Sequence, residues 1–324
     1  MPRIIKDSTT DTLEPRNLSD SDFDANSTVL PPSRSDTDPM PMLFLIAKAR
    51  IVSAFSIVSD LVTNPRPYSY AQVLKIDTTL NGAHANLPEP CRVRSLSQSI
   101  MDSPNIISLR IYIQLLYHKA QIILHQRYLV PSRDQTQYAY SRKTAIEAAL
   151  QILRYQHLVD EESKPGGRLE SIKWSMSSLI NHEFLLATSV LCFCAQHRRR
   201  EIAEAGAEEI ADLLGKTRAI WIRSASISKE ASRASEALRT ALRGLVVGSP
   251  ETAEDRGGPT AAPPPSVSAE VNGIDYFSFG FQTPFSFFNP MLESNTSLMS
   301  MGIDDTDAFF ETSPATTALG PKFT

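Results

Sequence analysis

The sequence predicts an all-α fold, a helical bundle or irregular helical array followed by a disordered acidic-aromatic tail. Three observations carry this. Between residues 41 and 247, apolar residues recur at spacings of three and four in one segment after another. Helix-starting residues such as Ser103-Pro104 stand ahead of these segments. No segment alternates polar and apolar residues as a half-buried strand would, and no internal repeat is found. Hydrophobic residues form 42% of the 324, enough for a sizeable core.

The elements follow in order. Residues 1–40 are rich in Asp, Ser, Thr and Pro and read as an extended, docked arm. Met42 to Val62 reads as a helix apolar over most of its circumference, hence central to the bundle. Ser69 caps a shorter helix to about Leu80, with Tyr70, Val73, Leu74 and Leu80 on its apolar face and Asp77 as the one polar exception. Pro88 and Pro90 break the chain. From Ser103-Pro104, a stripe of Ile106, Leu109, Ile113, Leu116, Ala120 and Ile123 predicts a long helix closed by Pro131. Ser141 is placed as the cap of the next, with Ala145, Ala148, Ala149, Ile152 and Leu153 inward. Gly166-Gly167 marks a loop. Helices are expected over Trp174–His197, from Glu204 to about Arg223, and from Ser228 to Val247. Beyond Gly248, Pro, Gly, Ser and Thr dominate, and Pro263-Pro264-Pro265 excludes a helix. Three regions result: an arm (1–40), a helical domain (41–247) and a disordered tail (248–324).

Charge divides along the same lines. The arm and the tail are acidic, with eight acidic against four basic residues and ten against two; the helical region is basic, with 26 against 18. A basic body with an acidic tail is a weak pointer to regulation near nucleic acid, set against the plainer reading of a solvated surface. Three cysteines, Cys91, Cys192 and Cys194, cannot build a disulfide framework and fit a reducing compartment. The N-terminus carries no apolar stretch of the secretory kind. Lys48, Arg50 and Asp60 interrupt the most apolar segment, which argues for a buried helix over a membrane span.

Chemical motifs were weighed and set aside. Gly215-Lys216-Thr217 lacks the glycine five residues earlier that a phosphate loop needs, since Ile210 stands there. His182-Glu183 lacks the second histidine one turn on, where Leu186 stands. His118 and His125 share a helix face without a third ligand, and Cys192 and Cys194 project to opposite sides of a helix. His197-Arg198-Arg199-Arg200 reads as cations at a helix end, with nuclear import or phosphate contact as the alternative. Asp304-Asp305 lacks the further aspartate of the terpene-enzyme motif, with Ala308 in its place. No serine-nucleophile elbow is found, and the chain is not expected to be an enzyme.

Several stretches resemble the regulatory (middle homology) domain of fungal zinc-cluster transcription factors. The most specific is Glu14-Pro15-Arg16-Asn17-Leu18 with Asp20, Asp22, Phe23 and Asp24, followed by Leu30-Pro31-Pro32-Ser33-Arg34. Ile46 to Ile51, Leu115 to Lys119, Leu124 to Leu129, Tyr140 to Lys143, Phe184 to Ala187 and Ser228 to Ala234 follow in the family's order. The resemblance covers roughly residues 1–247 and corresponds to the second half of that domain. It implies an all-α fold, a nuclear location and transcription regulation, often of a metabolic or biosynthetic gene cluster, and supplies no catalytic site. The family's two-zinc, six-cysteine cluster has no counterpart in a chain with three cysteines, so no cofactor is expected in these residues. The first half of the domain has none either, so the expectation is a clipped reading of a longer protein or a genuine truncated product. Should helices of that half cover the 42–62 helix, losing about 500 Å² of cover would cost about 12 kcal/mol. The isolated chain would then be marginal, oligomeric or partner-dependent.

The expected mode of action is therefore protein contact with other transcription factor subunits or coactivators, as a homo- or heterodimer, with no membrane and no direct DNA binding by these residues. The alternative is a truncated interaction protein that dimerises with or sequesters a full-length factor. The tail holds ten of the 25 aromatic residues. Among them Tyr276, Phe277, Phe279, Phe281, Phe309 and Phe310, interleaved with acids, are the candidate partner-binding residues. Acids keep such aromatics solvated until they dock in a coactivator groove. The plainer reading is a tail that returns its aromatics to the bundle.

Overall fold

Met40, an extended residue with proline after it, starts the first helix, because Pro41 needs no backbone partner at that position. The computed structural model describes residues 11–95, 97–130, 135–226 and 228–246. Among them are α1 (Pro41–Thr63), α2 (Tyr70–Ala85), α3 (Pro104–His125), α4 (Ala139–Glu162), α5 (Lys173–His197), α6 (Arg199–Glu204), α7 (Ala207–Ser224) and α8 (Lys229–Val246). No strand occurs among the described residues. The candidate aromatics Tyr276 to Phe310 lie outside them.

The central helix is α3, not α1 as its composition suggested. α3 packs against α1, α2, α4 and α5. It buries Ile113, Leu116 and Ala120 on the predicted stripe and Ile107, Ile111, Leu115 and Ile122 on other faces. α1 is long and apolar enough to cross a membrane by length and composition. Here it lays Leu43, Phe44, Ala47, Ile51, Ala54 and Val58 into one core cluster with Val73, Leu80, Ile113 and Leu124. Its outer face keeps Leu45, Val52 and Ile57 36–47% exposed. Each fully buried Leu, Ile or Phe contributes about 1.5–3 kcal/mol, so burial of the inner face holds α1 in place.

A second layer runs from α4 through α5 to α7 and α8. The predicted inward residues Ala145, Ala148, Ala149, Ile152 and Leu153 are all buried. α8 turns Ala231, Ala234, Leu238 and Ala241 inward, and the small side chains let it lie close to α5 and α7. Its start is capped by Ser228, whose hydroxyl accepts from the Ala231 N–H.

Several boundaries differ from the periodic reading. α2 continues to Ala85, with Ser69 capping it as expected. The segment after His197 forms two helices, because Gly206 takes φ 97°, a left-handed conformation open to glycine at little cost. In the loop before α5, Gly167 presses on the Glu162 carbonyl, where an added Cβ would stand 2.2 Å from the oxygen. Ser141 does not cap α4; the helix starts at Ala139, and Ser141 is buried inside it.

Candidate functional site

The motif that carries the resemblance folds into a closed loop. Arg16 Nη1 donates to the carbonyls of Leu30 and Pro31 at 2.7 and 2.9 Å. Asn17, 1% exposed, receives from the Arg34 N–H at 3.0 Å and donates through its amide to Ser35 O and Asp38 O. Arg34 pairs with Asp22 and with Asp38. Its guanidinium holds the Asp22 carboxyl at about 2. Arg50 of α1 then grips Glu14 with two bonds of 2.8 Å. The arm is thus a loop pinned to α1, more folded than the extended segment its composition suggested.

The motifs set aside on spacing have other uses. Lys216 pairs with Asp212 one turn away, and Thr217 is fully buried with its hydroxyl 3.0 Å from His157, so Gly215-Lys216-Thr217 lies in mid-helix. Glu183 is buried and pairs with Lys119 at 2.9 Å. Burial pushes the Cys192 thiol up to about 12 and the Cys194 thiol higher still, leaving both protonated. Arg198 of the basic run is buried, donating to Leu129 O and Val130 O, while Arg199 and Arg200 are exposed. Arg198 therefore ties the α3–α4 connection and presents no charge to solvent. No group of three or more metal-binding side chains occurs among the described residues.

One constellation was missed. Asp77 of α2, His125 at the end of α3 and Ser141 of α4 meet in the interior. His125 Nε2 lies 3.1 Å from Asp77 Oδ1, and Nδ1 lies 2.9 Å from Ser141 Oγ. Ser141 also donates to Tyr70 OH at 3.1 Å. Asp77 Oδ2 accepts from Tyr140 OH at 2.6 Å and from Asn81 Nδ2 at 3.1 Å. The network runs on through Asn81, Tyr117 and Gln121 to His118. Burial works to raise the Asp77 carboxyl, but hydrogen bonds from His125 and Tyr140 outweigh it and hold it below its usual value.

Three side chains of a hydrolase triad are present, yet the arrangement does not suit catalysis. Ser141 and His125 are fully buried, so a substrate carbonyl has no approach. The network joins three helices through polar contacts that only one register satisfies. Asp77 was the single polar residue on an apolar stripe, and that was the available signal.

The comparisons agree with the resemblance. The chain is 40% identical over 310 residues, 91% of its length, to a pyrrolocin cluster transcription factor of Fungal sp. (strain NRRL 50135). It is 40% identical over 73% of its length to a Zn(2)-C6 fungal-type transcription factor of Monascus ruber. It is 37% identical over 84% of its length to an equisetin cluster transcription factor of Fusarium heterosporum. The chain spans 40%, 30% and 40% of these relatives' own lengths. No family model matches, and no solved structure matches. The chain is a homologue of fungal Zn(2)-C6 transcription factors, corresponding to a part of their length.

Proposed function

We propose that the chain acts in transcription regulation of a metabolic or biosynthetic gene cluster, in the nucleus and through protein contacts. The observation that supports it is identity of 35–40% over most of the chain to factors named for such clusters. The helical domain supplies the scaffold. The tail from residue 248, with Tyr276, Phe277, Phe279, Phe281, Phe309 and Phe310, supplies the coactivator-docking segment. These residues need no cofactor, and reading of DNA belongs to a zinc cluster that three cysteines cannot form. The second reading is an interaction protein that pairs with a full-length factor and holds it from its targets.

The test is a reporter assay with the chain tethered to a heterologous DNA-binding domain. Activation that falls at least about tenfold on deleting residues 270–311 supports docking of the tail. An inert fusion that instead lowers the output of a co-expressed full-length relative supports the second reading. A fusion with neither effect counts against both.

A further inference from the structure

The turn that closes the arm carries a hydroxyl with no part in the contacts that pin it. Ser21 lies in the short turn Asp20–Asp22 and is exposed. Among the described residues its hydroxyl donates only to Ser19 Oγ, at 3.2 Å. Carboxylates stand immediately before it (Asp20), immediately after it (Asp22) and three residues on (Asp24). Asp20 and Asp24 are exposed, so a basic groove can reach both. Charge complementarity of this kind selects partners and steers encounter. Ser19 also has acids one and three residues on, but it is half-buried, and its own N–H is bound to Asp22 Oδ2 at 2.7 Å.

We propose that Ser21 is a phosphoacceptor for an acidophilic serine/threonine protein kinase, and that its phosphate loosens the arm through Arg34. In the transfer, Ser21 Oγ forms a bond to the γ-phosphorus of ATP and the bond from that phosphorus to the β-phosphate oxygen breaks. ADP leaves, and the hydroxyl proton passes to the kinase's base. The product places a charge of about −2 in a turn that already holds two carboxylates, with Asp24 just beyond it. Asp22, the next residue, has both oxygens on Arg34. The phosphate repels that carboxylate and competes for the same guanidinium. Arg34 also binds Asp38, and its N–H closes the loop on Asn17, so a shifted Arg34 releases both ends of the arm.

The experiment treats the 324-residue chain with an acidophilic casein kinase and magnesium ATP. The phosphate is mapped in the tryptic peptide 17–34, and backbone hydrogen exchange of residues 14–38 is then measured. The expected result is phosphate on Ser21, absent from Ser21→Ala and retained in Ser19→Ala, with arm exchange at least about threefold faster after phosphorylation. No phosphate in peptide 17–34, or phosphate there that survives Ser21→Ala, overturns the acceptor assignment. Phosphate on Ser21 with unchanged exchange overturns the action through Arg34.

Discussion

Replacing Asp77 with alanine removes the acceptor on which three helices converge. His125 Nε2, in a fully buried ring, loses its partner at 3.1 Å. An orphaned buried group costs about 1–3 kcal/mol. Asn81 loses one bond but keeps its contact with Tyr117, which leaves about 1 kcal/mol at stake. Tyr140 is 49% exposed and turns to water at little cost. The alanine also abolishes the cost of burying a carboxylate, which offsets part of the loss. The net expectation is a destabilisation of about 1–3 kcal/mol, read by urea unfolding followed by circular dichroism. Tyr140→Phe should cost under about 1 kcal/mol. In a double-mutant cycle, Asp77→Ala and His125→Ala should couple by more than about 1 kcal/mol. Strict additivity of the two, or a loss in Asp77→Ala no larger than that of Tyr140→Phe, would refute the reasoning.

Burial holds the His118 ring at about 4, and its bond to Gln121 opposes this only weakly. The unfolded chain takes up the proton near pH 6.5, so stability is full above that pH and falls as pH drops toward 4, by about 3 kcal/mol in all. His118→Gln should flatten the pH dependence of the melting temperature across that window. Arg50→Ala should cost under about 1 kcal/mol, since its pair with Glu14 is partly exposed. It should nevertheless speed limited proteolysis within residues 14–38. Leu45→Lys on the open face of α1 should leave stability within about 0.5 kcal/mol. Ile51→Ala, on the buried face, should cost about 2–4 kcal/mol, and the two melting curves separate the faces. Gly167→Ala forces a Cβ against the Glu162 carbonyl and should lower the melting temperature, whereas the neighbouring Gly166 meets nothing and is limited only by its φ of 82°.

Helical periodicity located the helices because it reports which face is buried, and burial of Ala145, Ala149 and Leu153 follows from spacing alone. It does not report which face meets which. The apolar circumference of α1 therefore suggested a central position, although α3 takes that place and Leu45, Val52 and Ile57 stay open. Glycine in Ala205-Gly206-Ala207 has helix formers on both sides and an ordinary cost of about 1 kcal/mol within a helix, so spacing alone did not mark the break that its left-handed φ of 97° makes. The buried site was partly visible. Asp77 broke an apolar stripe, but Ser141 fitted a capping role equally well, and His125 stood 48 residues from its carboxylate partner. No local rule connects residues so far apart. The Glu14 to Asp24 run carried the resemblance, yet its composition suggested an extended arm where the structure has a closed loop. Apart from Glu14, which reaches Arg50 36 residues on, its side chains bond to turns and carbonyls up to 21 residues away. Arg50 of α1 pairs with both Glu14 and Asp36 of that loop, so Arg50→Ala removes both ties and Glu14→Ala only one, and comparing the two tests whether the arm's fold and its docking are separable.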